Sequence, residues 1–259
     1  MTRSSVSWKA WLLPVVPLML WLASSLLIAN TELFYALNRF SMGWSDGTWA
    51  FFVYLGNGWG IFSLAFPLIL FMPRALMAAA AAGLSAGLFA RFFKVTLDIP
   101  RPAAVLDRES FRIVGDALEA LSMPSGHALT VFAVATAIYF SLPATSRIRG
   151  LWLFAVAAIA GVARVAVGAH WPADVYAGAS IGLFFGIGAV ILFNRMPDHW
   201  FTPESWMMRF AATMGIICLY ILATSELDLA ISRPLQTFGM VIIAGSLFHF
   251  LPASLGRRR

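Results

Sequence analysis

The sequence predicts an all-α protein, a polytopic membrane helix bundle. Of its 259 residues, 60% are hydrophobic and only 12% are charged. Long apolar runs recur along the whole chain, and the mean hydropathy is strongly positive. Because a helix needs roughly 20 apolar residues to cross a hydrocarbon core about 30 Å thick, each of these runs is a candidate membrane span.

Eight runs satisfy this criterion. Their approximate limits are residues 11–29, 50–71, 75–93, 127–142, 150–169, 173–193, 209–224 and 235–251. The third run contains "LMAAAAAGLSAGLFA" and the sixth contains "GASIGLFFGIGAV", both rich in small residues. Small residues let helix backbones approach closely in a membrane, so these two spans are predicted to lie inside the bundle.

The chain ends and the cysteine content narrow the interpretation further. The first run follows Arg3 and Lys9 but lacks a small-x-small cleavage site before Asn30, which predicts an uncleaved first span. Cys218 is the single cysteine, so no intramolecular disulfide forms. The formal net charge of +6 comes without a basic stripe interleaved with aromatics, and it therefore indicates membrane topology rather than a nucleic-acid partner.

The distribution of charge predicts which side the loops face. With the N-terminus in the cytoplasm, ten of the eighteen basic residues lie inside: Arg3, Lys9, Arg74, Arg147, Arg149, Arg195, Arg209, Arg257, Arg258 and Arg259. Ten of the twelve acids then lie outside. This bias predicts a bacterial inner or plasma membrane protein whose outer loops carry the functional site.

Two outer connections contain polar residues that burial in a membrane would not select. The connection between the third and fourth spans begins with "KVTLDIPRP" and ends with "PSGH", and the connection between the fifth and sixth reads "ARVAVGAHWPAD". The candidate site residues in these stretches are Lys94, Arg101, Ser125, Gly126, His127, Arg164, His170 and Asp174.

These residue types together indicate an anion site. Arg164 lies inside an apolar helix, where a cation is costly unless it finds a partner. Ser125 and Gly126 supply a hydroxyl and free backbone N–H groups at a helix start, which attract anions. Three cations around such a helix start describe a pocket for a tetrahedral oxyanion. Two histidines and a carboxylate add a nucleophile or base, its orienting partner and a proton donor.

The same residues resemble the three-part signature of the type 2 phosphatidic acid phosphatase superfamily, the integral membrane lipid phosphate phosphatases. The matching parts are Lys94 with Arg101-Pro102, then Pro124-Ser125-Gly126-His127, then Arg164 with His170 and Asp174. Ala163 departs from the pattern, because the family usually has serine before this arginine. The resemblance implies a six-span phosphatase core over 1–194, and it leaves 195–259 as an additional C-terminal transmembrane hairpin.

The resemblance also implies a role for each site residue. His170 would attack phosphorus and become a phosphohistidine, Asp174 would accept the other ring proton of His170, and His127 would protonate the leaving oxygen. The phosphate ligands would be Lys94, Arg101, Ser125, the Gly126 backbone and Arg164. The family pattern needs no metal and no cofactor, and the sequence contains no carboxylate cluster at metal-ligand spacing.

The implied partner is a membrane lipid phosphate, and the sequence indicates no oligomeric state. The breadth of the family favours undecaprenyl diphosphate as the substrate. Lipid A 1-phosphate and phosphatidate-type lipids are the alternatives, as is transfer of the phosphoryl group to a second lipid. A non-enzymatic lipid-phosphate binder or transporter is a further alternative, although the two histidines and Asp174 argue against it.

Three features outside the signature complete the interpretation. The stretch 103–122 is polar enough to leave the bilayer, and Phe111, Val114, Leu118 and Leu121 recur in it at helical spacing. Either a short interfacial helix beside the site or a plain connector is consistent with this pattern. His199 and His249 match no motif and are interpreted as ordinary loop and span-end residues.

Overall fold

The computed structural model describes residues 6–256, and this part of the chain is built from helices without β-strands. The all-α prediction is confirmed. The α-helices are α1 Val15–Leu27, α2 Asn30–Ser41, α3 Asp46–Gly56, α4 Gly58–Ala65, α5 Leu68–Phe71, α6 Pro73–Leu97, α7 Pro102–Val105, α8 Gly126–Ser141, α9 Arg147–Gly150, α10 Trp152–Ala166, α11 Pro172–Arg195, α12 Trp206–Thr224 and α13 Arg233–Ser254. Of the basic residues used to predict topology, Arg3 and Arg257 to Arg259 lie outside the described residues.

Six helical segments of the described chain are long and apolar enough to cross a membrane. They are Trp8–Leu27, Pro73–Val105, Ala144–Ala166, Pro172–Arg195, Asp198–Thr224 and Ala230–Ser254. Each corresponds to one of the predicted spans. The predicted span 127–142 is the shorter apolar helix α8, whose 16 residues extend about 24 Å at 1.5 Å per residue.

The segment predicted as the span 50–71 is not one helix. It divides into α3, α4 and α5. Asn57 adopts an extended backbone between α3 and α4, and its Oδ1 accepts from the N–H groups of Trp59 and Gly60. Pro67 has no N–H to continue the ladder and interrupts the second half. An apolar run shows only that a segment is buried, whereas these two residues decide that its helix is broken.

Helices α6, α8 and α11 pack against one another at the centre of the bundle. A glycine stripe on α11 makes the contact with α8 close, since a Cβ on Gly178 would lie 2.6 Å from the Ser125 carbonyl oxygen and one on Gly182 would lie 2.4 Å from that of Leu129. Small residues provide such close approach between membrane helices. The stripe therefore brings the start of α8 against the start of α11.

The segment 106–125, which connects α7 to α8 and is called the connector below, decides between the two interpretations of the polar stretch 103–122. It contains only the 3₁₀ turn Arg108–Ser110 and is otherwise irregular, so the interfacial-helix alternative is wrong and the plain connector is right.

Helix α2 is not among the predicted elements. Its Asn38 is fully buried, accepts from the Arg112 N–H at 2.8 Å and donates to the Val165 carbonyl at 3.1 Å. This side chain ties the connector to the end of α10.

Helices α12 and α13 form the antiparallel pair predicted as a hairpin. They pack on α4 and α5. On one side, Arg74 bonds to the carbonyl oxygens of Phe193 and Met196, pairs with Asp198 and lies 4.1 Å from the ring of Phe201. On the other side, residues 225–232 return the chain to the connector 106–125. The division of the chain at residue 194 remains a prediction.

Candidate active site

His170 and Asp174 face each other across the start of α11. His170 Nδ1 lies 3.1 Å from Asp174 Oδ2. The same oxygen accepts the Trp171 backbone N–H at 2.9 Å and the Ser122 hydroxyl at 2.5 Å. Both residues of the pair are almost fully buried. The carboxylate thus holds the imidazole by Nδ1 and leaves Nε2 as the ring nitrogen available for chemistry.

The local sequence explains why His170 points this way. Pro172 opens α11 with the fixed φ that suits a first helical position, and it places Asp174 in the first turn. Gly168 has φ +76°, and a Cβ there would lie 2.7 Å from the Arg112 carbonyl oxygen. This left-handed residue lets the chain turn sharply after α10, so that the N–H groups of Ala169 and His170 both bond to the Arg164 carbonyl.

Arg101 and Lys94 lie near the Nε2 side of the buried His170 ring. Arg101 Nη1 lies 3.3 Å from His170 Nε2 and donates to the Ala169 carbonyl at 2.8 Å. Lys94 Nζ donates to the carbonyl oxygens of Leu121 and Ser122 at 2.5 and 3.2 Å. The two cations are therefore held beside the ring by backbone carbonyl groups.

The start of α8 lies next to the His170–Asp174 pair. The Ser125 N–H bonds to the Asp174 carbonyl at 3.0 Å, and the fully buried Ser125 hydroxyl accepts from the Ala128 N–H at 3.5 Å. The Ser125 hydroxyl hydrogen is left to donate to an anion. A Cβ on Gly126 would meet nothing within 4 Å, so the backbone here is open to a ligand.

Arg164 is the least satisfied charge of the site. It is 5% exposed, and its Nε is buried without a hydrogen-bond partner among the described residues. Its charge is felt by His127, His170 and Asp228. A buried cation without a partner is costly, and an anion placed between these groups would satisfy it.

His127 has a partner that the sequence analysis missed. Its Nε2 lies 3.0 Å from Oδ2 of Asp228, in the connection between α12 and α13. Asn57 Nδ2 donates to the same oxygen at 2.7 Å. A Cβ on Gly56 would lie 2.8 Å from the His127 Cβ, so the glycine at the end of α3 leaves the space that His127 occupies.

The surroundings shift the pKa of two groups outside the spans. Burial and the charges of Arg101, Arg164 and Lys94 hold the pKa of His170 well below its ordinary value. Burial alone would raise the pKa of Asp228, but the His127 and Arg164 charges and the bonds from His127 and Asn57 lower the pKa overall. His170 is therefore a neutral base at neutral pH, and Asp228 is ionised.

A pocket of 230 Å³ opens beside these groups, between the α3–α4 break, α6 and α8. Lys94, Arg91 and His127 lie at one part of its wall, and Gly87 and Thr130 lie at another. Gly87 is seven residues before Lys94 on α6, about 10 Å along the helix. The pocket therefore extends from the charged groups to small residues about two turns earlier in α6.

All eight predicted site residues lie at the starts of α8 and α11, in the connections that precede these helices, or near the ends of α6 and α10. Among the described residues, no three His, Cys, Asp or Glu side chains cluster as metal ligands would. His199 and His249 are exposed and lie away from the site, His199 against Trp200 and His249 against Phe248. The site thus combines an oriented neutral imidazole, a second imidazole on a carboxylate, and three cations.

These features define an integral membrane protein of the α-helical class with a cluster of buried cationic and imidazole side chains at one end of its bundle. Residues 74–198 match the model of the PAP2 superfamily. The segment 74–198 therefore belongs to that superfamily, which is the type 2 phosphatidic acid phosphatase family indicated by the signature.

Curated relatives are named lipid A 1-phosphatase. The protein from Rhizobium etli is 35% identical over 123 residues, which cover 44% of this chain and 51% of that protein. The protein from Rhizobium johnstonii is 40% identical over 86 residues, 30% of this chain and 34% of that protein. The protein from Porphyromonas gingivalis is 35% identical over 75 residues, 29% of this chain and 17% of that protein.

A solved structure is also similar. The crystal structure of Aquifex aeolicus LpxE superimposes with a TM-score of 0.55 and 27% sequence identity, covering 63% of this chain and 96% of that chain. The matched segments span between 17% and 51% of the length of the three curated relatives. Asp228 lies beyond residue 198, where the superfamily match ends.

Proposed function

We propose that the protein is a metal-independent lipid phosphate phosphatase that works through a phosphohistidine at His170. The observation that carries this proposal is the oriented imidazole beside an unsatisfied cation. His170 is held by Asp174 at Nδ1 and has Arg101 at Nε2, while the buried Arg164 lacks a partner for its Nε among the described residues. A phosphate between them would satisfy the cations and present phosphorus to the lone pair of Nε2.

The first step forms a bond between His170 Nε2 and phosphorus and breaks the bond between phosphorus and the lipid oxygen. His127 gives a proton to that oxygen. In the second step water attacks phosphorus, the P–N bond breaks, and His127 takes the proton of the water. Lys94, Arg101, Arg164 and the start of α8, with Ser125 and Gly126, stabilise the equatorial oxygens as charge develops.

The substrate we favour is the 1-phosphate of lipid A. The Rhizobium and Porphyromonas relatives carry the name lipid A 1-phosphatase, whereas none of these three is named for undecaprenyl diphosphate, the substrate favoured by family breadth. Phosphatidate-type lipids and transfer to an acceptor lipid remain outcomes of the assay below. The charge bias of the loops favours an active site on the outer face of a bacterial inner membrane.

The proposed route of the lipid is the pocket beside His127. The pocket is lined by the cations Arg91 and Lys94 and also by glycine, alanine and threonine. This arrangement suits a molecule whose phosphate stays at the membrane surface while the attached lipid extends into the bilayer. Since Gly87 lies about two helical turns from Lys94, it is the position at which added volume would obstruct the lipid rather than the phosphate.

The purified protein is expected to release inorganic phosphate from lipid A 1-phosphate at least about tenfold faster than from undecaprenyl diphosphate or phosphatidate. Each tenfold preference corresponds to about 1.4 kcal/mol of transition-state binding. EDTA is expected to leave the rate unchanged, because protein cations occupy the role of a metal. The measurement is phosphate release across this panel in nanodiscs, with and without chelator.

Each alternative has its own signature in this assay. Phosphate release that requires an added acceptor lipid would identify a phosphotransferase. Saturable lipid binding without release would identify a binder or transporter. Loss of activity in EDTA, restored by magnesium, would contradict the metal-independent mechanism. Preference for undecaprenyl diphosphate would keep the mechanism and replace the substrate.

The variant Gly87→Leu is expected to raise KM for the lipid substrate at least about tenfold, because its side chain fills the pocket. A Cβ at Gly87 meets nothing within 4 Å, so a side chain can start there without a clash, and leucine favours helix over glycine. A short water-soluble phosphate ester should be cleaved at the parent rate. The measurement is KM and kcat for both substrates.

Gly245→Leu is the matched control. Gly245 is an exposed glycine within α13, where an added Cβ would also meet nothing within 4 Å, and it lies outside the pocket. Its leucine variant should behave as the parent toward both substrates. An unchanged lipid KM in Gly87→Leu would show that the lipid does not use this pocket.

A further inference from the structure

The connection between α12 and α13 lies outside the superfamily match and yet reaches the proposed acid. Its residue Asp228 places Oδ2 3.0 Å from His127 Nε2. The Asp228 side chain is 24% exposed and that of His127 is 18% exposed. The contact is therefore partly shielded from water, which strengthens the interaction between a carboxylate and an imidazolium.

The surrounding structure fixes Asp228 in this position. Its neighbours Leu227 and Leu229 are both buried, and Leu229 packs with Trp49 of α3. The Leu229 side chain also fills the space above Gly115, where a Cβ would approach it to 2.4 Å. Two buried leucines on either side leave Asp228 pointing into the site.

Asn57 also holds the carboxylate, through the same oxygen that His127 contacts. The Asn57 Nδ2 donates to Asp228 Oδ2, while Oδ1 caps α4. The break between α3 and α4 thus has a second consequence, because it presents an amide donor to the carboxylate. Asp228 has φ +51°, a left-handed conformation that aspartate and asparagine tolerate better than most residues.

The two ring nitrogens of His127 have different surroundings. Nε2 is engaged by Asp228, and Nδ1 makes no hydrogen bond to a described residue. Nδ1 is therefore the nitrogen that can face a leaving oxygen. With Nε2–H donated to the carboxylate, Nδ1 carries a proton only when the ring is an imidazolium, and the neutral ring left after transfer has a free lone pair on Nδ1.

We propose that Asp228 is the positioning residue of the general acid His127, a role supplied by the C-terminal hairpin. The proposal rests on the phosphatase function proposed above. Asp228 fixes which nitrogen faces the substrate and favours the protonated ring. After His127 Nδ1 gives its proton to the lipid oxygen, the Nε2–H bond to Asp228 stays in place, and Nδ1 accepts the proton of the attacking water in the second step.

The other charged groups that face His127 act against protonation. Lys94 and Arg91 of α6 line the same pocket, and Arg164 of α10 lies within electrostatic reach of the ring. Asp228 is the carboxylate bonded to the ring. A variant that removes the charge of Asp228 but keeps the shape of its side chain isolates the contribution of that charge to the protonation of His127.

The test compares Asp228→Asn with Glu226→Gln. Asparagine keeps the size of the side chain and tolerates the left-handed backbone. Glu226 is an exposed acid two residues away, so its variant removes the same charge from the same connection. Asp228→Asn is expected to lose about 10- to 100-fold in kcat on an alkyl phosphate and less than about threefold on an aryl phosphate, whose leaving oxygen needs little protonation.

The alkaline limb of the pH–rate profile should move about one pH unit lower in Asp228→Asn, since a lost carboxylate makes the imidazolium easier to deprotonate. NMR of protein with isotope-labelled histidine measures the corresponding shift in the titration midpoint of His127, and it does so without turnover. The four histidine signals are assigned with His170→Gln, His199→Gln and His249→Gln, which leaves the fourth signal to His127. The His127 midpoint should fall by about one unit in Asp228→Asn and stay unchanged in Glu226→Gln.

Three results would overturn the proposal. An unshifted His127 midpoint would show that Asp228 does not control the ring. Equal rate losses on alkyl and aryl phosphates would show a structural role. Faster turnover or a lower KM in Asp228→Asn would show that the Asp228 carboxylate occupies the position where the substrate phosphate binds. If the parent releases no phosphate from any lipid, the proposed function fails, while the NMR titration still decides whether Asp228 controls His127.

Discussion

His170→Ala is expected to reduce phosphate release roughly 10⁴-fold or more, because it removes the atom positioned to form a bond with phosphorus. The alanine variant keeps Arg101, Arg164 and Lys94, so its affinity for the lipid phosphate should stay within a few-fold of the parent. The measurement is single-turnover phosphate release together with equilibrium binding of the same lipid.

Two further variants distinguish the loss of a nucleophile from a structural effect of the substitution. His199→Ala removes an exposed histidine far from the site and should retain full activity. Asp174→Asn keeps the shape of the carboxyl group but weakens the bond that orients His170, and a partial loss is expected. Substantial turnover by His170→Ala would contradict the assignment of His170 as the nucleophile.

Arg164→Met is expected to lose about 10²- to 10³-fold or more in kcat/KM and to leave the thermal unfolding midpoint unchanged or higher. The loss follows from removing a preorganised cation that stabilises developing charge. The gain in stability follows from burial of the guanidinium, whose Nε has no hydrogen-bond partner among the described residues and whose charge is offset only at longer range by Asp228. Activity and stability should therefore change in opposite directions at this residue.

Arg74→Met is the matched comparison. Arg74 donates to two carbonyl groups, pairs with Asp198 and stacks on Phe201 at the far side of the bundle. Its removal should lower the unfolding midpoint and leave kcat/KM near the parent value. A lower unfolding midpoint in Arg164→Met would show that Arg164 is a structural cation rather than an unsatisfied anion ligand.

The bundle and the signature residues are accessible to sequence reasoning because their causes are local. Apolar runs of span length predict helices in a membrane. The start of α11 follows from Pro172 and Asp174, and the start of α8 follows from Ser125. Since alternate connections of a bundle lie on the same face, the sequence alone suffices to place both halves of the His170 site together.

The partner of His127 cannot be predicted in the same way. Asp228 falls in a predicted outer loop, but a loop assignment does not specify which of the other loops it meets. Its position depends on the packing of Leu227 and Leu229, which is a long-range property. The contact between Asn57 and Asp228 cannot be predicted either, because Asn57 lies inside an apolar run that predicts one continuous helix.

The most direct test of the central claim is rapid-quench trapping of the phosphoenzyme. The protein is mixed with lipid A 1-phosphate labelled at phosphorus, quenched in alkali within milliseconds, and mapped by mass spectrometry. The mechanism predicts an acid-labile, alkali-stable phosphoryl group on His170, formed and consumed within one turnover. A phosphoryl group on another residue, or turnover with no phosphoenzyme at any quench time, would contradict it.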